Sequence, residues 1–108
     1  MLTRRNVLCK LDKPIIVPFS EAADQCGGHG GAVASLQQFQ RAFDTGYAMC
    51  KFSWLNDGLL YSSVQVASAA GNCNTVGVLT HPFPQTTANV NCVFEDQSTV
   101  KIQVCWPL

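Results

Sequence analysis

Six cysteines spread over 108 residues constrain this chain more than any other feature. Cys9, Cys26, Cys50, Cys73, Cys92 and Cys105 are even in number, and no two neighbours lie closer than Cys92 and Cys105. Structural zinc sites bring their ligands in closely spaced pairs, and no CxxC occurs here, so the pattern reads as a disulfide framework. A chain of this length makes one domain with a core of limited size, and bridges worth roughly 2–4 kcal/mol each compensate for that. Disulfides persist in oxidising compartments, so the expected location is outside the cytosol.

Seven basic and seven acidic residues give a formal net charge of zero. No overall field draws such a chain to nucleic acid or to an anionic membrane, so neither is expected as a partner and any recognition must be local. MLTRRNVLCKLDK at the start is basic but has no apolar h-region, because Lys10, Asp12 and Lys13 interrupt it. The expectation is a secreted or cell-surface ectodomain whose signal peptide and anchor lie outside this chain. PIIVPF is far too short to span a membrane, and no Asn-x-Ser/Thr sequon is present.

Along the chain, IIVPF at residues 15–19 predicts a short strand broken by Pro18, and SEAADQC a helix with Ser20 as N-cap, ended by GGHGG. Ser35 opens a second helix, with Gln38 completing a capping box, Leu36, Phe39 and Phe43 at helical spacing, and Gly46 as the C-cap. After Cys50 the pattern changes to short apolar pieces separated by turn residues. NVNCVFE and VKIQVCW, residues 89–95 and 100–106, alternate as strands, with EDQS as a hairpin connection. Two early helices and several later strands predict an α+β fold with an antiparallel sheet.

The succession FSEAADQC, GAVASLQQFQRAFDTGYAMC, SWLNDG, GNC, VGV and NVNCVFE resembles the Link module, the hyaluronan-binding branch of the C-type-lectin-like fold. The resemblance covers roughly residues 14–96 and is most specific at Ala34-Ser35, the second helix, Cys50, Trp54-Leu55 and Asp57-Gly58. It implies two helices packed on antiparallel sheet, with Cys26 bridged to Cys92 and Cys50 to Cys73. Cys9 and Cys105 are left to close flanking strands, as in the extended Link domains of cell-surface hyaluronan receptors. Residues 1–108 then form a single Link-type domain with its core at about 14–96.

Link modules that bind hyaluronan use basic residues for the glucuronate carboxylates and aromatic rings for the apolar sugar faces. Lys51-Phe52 directly follows the second framework cysteine, where the receptor subgroup carries a basic-aromatic pair. The bland reading has Lys51 solvated and Phe52 packed. A second such pair is due about a dozen residues before Cys26, where Pro14-Ile15 stands with Lys13 only adjacent. The third contribution is reduced to Tyr61, since no lysine or arginine occurs between Lys51 and Lys101. Trp54 reads as core and Asn56-Asp57-Gly58 as a turn. Trp54-Leu55-Asn56-Asp57 superficially resembles the calcium-binding Trp-Asn-Asp of C-type lectins, but no Glu-Pro-Asn or Gln-Pro-Asp loop accompanies it.

His29 and His81 are the only histidines, and a cysteine-histidine hydrolase would need a free thiol that three bridges do not leave. His81, with Phe83, reads as a loop tip whose relation to a binding face stays open. The expected function is therefore binding without catalysis, metal or cofactor: hyaluronan or a related glycosaminoglycan held by Lys51, Phe52 and Tyr61, with Lys13 and Lys10 assisting. The alternative is a Link-fold module that has lost glycan binding and serves an extracellular protein partner or a structural role. The neutral charge and the missing cations motivate it.

Overall fold

Among the described residues, two sheets pack with two α-helices. The computed structural model describes residues 7–11, 16–68, 73–81, 86–96 and 102–108, with the side chains of 102 and 103 excepted. Strand β1 (Val7–Leu11) lies between β8 (Cys92–Phe94) and β9 (Ile102–Pro107), and β3 (Ala32–Val33) extends β8, giving the order β3-β8-β1-β9. The second sheet runs β2-β7-β4-β5-β6, from β2 (Ile16–Val17), β7 (Ala88–Val90), β4 (Met49–Trp54), β5 (Leu60–Val64) and β6 (Gly77–Thr80).

Two strand readings need correction. NVNCVFE is two strands, because Asn91 ends β7 and the chain passes to the other sheet as β8. EDQS is not a hairpin connection between sheet neighbours, since β8 and β9 both pair with β1 and lie on either side of it. Alternation along a strand reports which face is buried and carries no information about which strand lies alongside. The first sheet is antiparallel throughout, whereas the second is mixed: β7 runs parallel to β4, with Ser53 opposite Asn89 and Trp54 opposite Val90.

The second helix, α2 (Leu36–Asp44), starts as the sequence predicts. The Ser35 hydroxyl accepts from the Gln38 N–H at 3.1 Å and the Gln38 side chain accepts from the Ser35 N–H at 2.9 Å, so two otherwise orphaned donors are satisfied reciprocally. Thr45 is the C-cap, and Gly46 follows with φ of 113°, a left-handed conformation that glycine adopts without strain. Before the first helix, α1 (Ala22–Gly28), residues Phe19–Glu21 form one 3-10 turn, which displaces Ser20 from the predicted cap. Glu21 takes that position without a side-chain cap bond, and the Ala22 N–H is satisfied by the Phe19 carbonyl.

The three bridges are Cys9–Cys105, Cys26–Cys92 and Cys50–Cys73. This is the pairing that the family resemblance implies. Cys9 lies opposite Cys105 on β9 and opposite Cys92 on β8, and Cys92 is taken by Cys26 of α1. Leu8, Phe39, Ala42, Tyr47, Leu55, Tyr61 and Val93 fill the core where α2 and the two sheets meet. At its centre the buried Asn91 donates to the Ser53 hydroxyl at 2.6 Å and the Trp54 carbonyl at 3.0 Å, while its Oδ1 accepts from the Tyr47 hydroxyl at 2.9 Å. A polar group so placed costs little once paired, and its pairing fixes how the two sheets meet.

Candidate functional site

Strand β4 carries the Lys51-Phe52 pair, and its pairing with β5 is irregular. Met49 faces Ser63 and Ser53 faces Tyr61, so β4 uses more residues than β5 over the same span. Such a bulge breaks the inside-outside alternation and leaves Cys50 and Lys51 both exposed. Phe52 then turns back, half-buried, against the cluster of Trp54, Leu60 and Ala88. Trp54 is fixed in that cluster by its indole N–H, which donates to the Val17 carbonyl at 2.8 Å, and by the Phe19 ring 5.5 Å away. The Cys50–Cys73 bridge ties the segment preceding Lys51 to the chain leading into β6.

His81 joins this surface. Its N–H donates to the Leu60 carbonyl at 2.9 Å, continuing the β5–β6 register, and its ring lies 4.3 Å from that of Phe52 at 31°. The histidine that the sequence leaves as a loop tip therefore borders the aromatic half of the pair. No periodic signal could have brought the two together, because the approach depends on β6 pairing with β5 beside a bulged β4. Phe83, the other ring of the HPFP segment, lies outside the described residues.

Tyr61 is elsewhere. Leu60 and Tyr61 are successive residues of β5 and point to opposite faces: Leu60 packs with Phe52 and Trp54, and Tyr61 packs in the core beside Phe39. Only 5% of Tyr61 is exposed, and its hydroxyl donates to Asp57 Oδ2 at 2.6 Å. Burial, the hydrogen bond to Asp57 and that residue's charge push its pKa up to about 12. The expected alliance of Tyr61 with Lys51 and Phe52 on one surface is thus corrected, because a one-residue step along a strand changes the face. Asp57 is equally occupied: its Oδ1 accepts from the Leu59 N–H at 2.9 Å, closing the turn in which Gly58 has φ of 81°.

Lys10 belongs to the other sheet. Its ammonium lies 5.6 Å from the ring centroid of Trp106 and 6.0 Å from that of Tyr47, within the range of a cation-π contact. These rings, 4.6 Å apart, close the core near the end of α2. Lys13 lies outside the described residues. Of the five candidates, Phe52 is joined by His81, Lys51 is its exposed neighbour in the chain, and Tyr61 and Lys10 lie elsewhere.

The model of the extracellular link domain family matches residues 10–95. Stabilin-1 of Mus musculus is 36% identical over 66 residues, which is 61% of this chain and 3% of that protein. The versican core protein of Homo sapiens is 31% identical over 70 residues, 65% of this chain and 2% of that protein. The chain thus spans a few hundredths of the length of these relatives.

Proposed function

This chain belongs to the extracellular link domain family, and from that premise we propose that it binds a carbohydrate, hyaluronan or a related glycosaminoglycan, outside the cell or at its surface. The observation that carries the reading is the Phe52–His81 ring pair, with the exposed Lys51 next to Phe52 in the chain, on a segment held by the Cys50–Cys73 bridge. A pyranose offers an apolar face to such rings, and a uronate offers a carboxylate to the cation. The role is reversible binding rather than catalysis.

A single exposed charge contact contributes about 0–1 kcal/mol, so one domain with this few cations binds weakly and useful affinity comes from several copies acting together. Titrating defined hyaluronan oligomers into the disulfide-intact domain at low and at physiological salt tests the reading. The expected result is saturable binding at low salt that Lys51→Ala weakens about two- to five-fold and Phe52→Leu weakens further. An absence of binding at both salts ends it.

A second reading, a protein-interaction module that has lost glycan binding, is favoured by the placement of Lys10 on the other sheet and of Tyr61 in the core. It is adopted if the oligomers fail to bind and an extracellular partner is retained regardless of Lys51→Ala.

A further inference from the structure

On the far side of the same sheet from Phe52, a groove runs between α2 and β6, lined by Leu36, Gln40, Arg41, Tyr61, Val78 and Thr80. Strand β6 is the last of its sheet, and no described strand pairs with its outer edge. The hydrogen bond from His81 to Leu60 sets the phase of the ladder between β5 and β6. It makes Ser62/Leu79 and Val64/Gly77 hydrogen-bonded pairs and leaves Tyr61/Thr80 and Ser63/Val78 as the alternate pairs. The N–H and C=O of Val78 and Thr80 therefore point away from β5, while their side chains line the groove. Between Gly77 and Thr80 there is no lysine, proline or bulge of the kind that usually guards an open edge.

We propose that this groove docks an extended peptide segment of a partner protein, which adds to β6 as a further strand and sets an acidic side chain against Arg41. Donors and acceptors repeating at every second residue match a polypeptide backbone rather than a sugar ring. Leu36, which is 43% exposed, and Val78 supply apolar contact for the side chains that an added strand turns towards α2. Arg41 is the one charged residue among the described residues that line the groove and makes no ion pair with any of the described residues, so the complementary occupant carries a carboxylate. A second copy of this chain pairing through its own β6 edge would bring the same cation, and no carboxylate from the described lining, to the groove. The inference does not rest on the glycan reading, because the two surfaces lie on opposite faces of the sheet.

The test is an amide-resolved NMR titration of the disulfide-intact domain. The probes are capped hexapeptides with valine or threonine at alternate positions and one glutamate moved through the others. The expected result is a shift at the amides of Val78 and Thr80 and at the Arg41 side chain. Changing the glutamate to glutamine, or Arg41→Gln, weakens binding about two- to five-fold. Thr80→Pro removes an outward N–H that β5 does not use and is expected to abolish the Val78 response. N-methylation of alternate peptide amides, which leaves the protein unchanged, does the same in one register and not in the other. The inference is overturned if no peptide of the set shifts these amides at millimolar concentration, or if the two registers of N-methylation act alike. It is equally overturned if hyaluronan oligomers shift the same amides in place of the peptides, or if those amides shift with protein concentration alone.

Discussion

The two faces of the β4–β5 pair are built from alternate residues of the same strands and differ in almost every physical respect. The inward face carries Ser53, Tyr61 and Ser63, all buried, and each polar atom there has a partner: Ser53 with Asn91 and the Tyr61 carbonyl, Ser63 with the Met49 N–H and the Tyr47 carbonyl, Tyr61 with Asp57. The outward face carries Phe52, Trp54 and Leu60, and its one buried hydroxyl, that of Ser62, has no partner among the described residues. The inward face joins the two sheets, and the side-chain polar atoms of these three residues are engaged within it. The outward face is held by packing and an indole hydrogen bond, with the Phe52–His81 ring pair half-buried at the surface and Lys51 exposed next to it in the chain. A polar core spends its hydrogen-bonding capacity on itself, and an apolar surface with a cation at its rim does not.

Substitutions should separate the faces, most strongly at Asn91. Asn91→Ala removes two donated bonds and leaves the Tyr47 hydroxyl without its acceptor, so chemical denaturation is expected to show a loss of about 2–4 kcal/mol. A loss below 1 kcal/mol would mean that the join between the sheets does not depend on this network. Ser63 and Ser62 are adjacent on β5, and the same change to alanine should act with opposite signs. Ser63→Ala is expected to cost about 1–2 kcal/mol, because the Met49 N–H loses its acceptor, and Ser62→Ala to stabilise by up to about 1 kcal/mol. Equal losses at both would erase the contrast drawn between the faces.

Tyr61→Phe is the mildest change, about 0.5–1 kcal/mol near neutral pH, and is best read as a pH profile. The folded state raises the phenol's pKa from 10.0 to about 12, so its contribution is complete below the lower value and is lost as pH rises through the upper one. Unfolding followed across that window should show a shallower alkaline loss in Tyr61→Phe than in the wild type. Tyr47, whose pKa burial also pushes up, keeps a residual slope in the variant. Identical profiles would place Tyr61 outside the buried face.

Legibility in the sequence followed the range of the interaction. Ser35 with Gln38, Gly46 after α2, and the Asp57-Gly58 turn are contacts within a few residues, and each was readable from side-chain chemistry at fixed spacing. Trp54 could be assigned to the core from its apolar frame, and it is 6% exposed. The bulge in β4, the approach of His81 to Phe52 and the inward position of Tyr61 were not readable. Each depends on which strand lies beside which and in what phase. The position of Arg41 beside β6 has no signal in the sequence for the same reason.

By itself, then, the sequence determined the α+β class, the capping of the second helix and, through the ordered cysteines and the Trp54 to Gly58 segment, the family. Those are properties of local spacing and of residue order. Only the tertiary structure decided that β1 lies between β8 and β9, with Cys9 opposite both Cys92 and Cys105 and bridged to the latter, and that Asn91 passes the chain from one sheet to the other. It likewise decided which of the expected ligand residues share a surface. The physical reason is that alternation identifies a buried face but not the neighbour it is buried against, and a binding surface is made of neighbours.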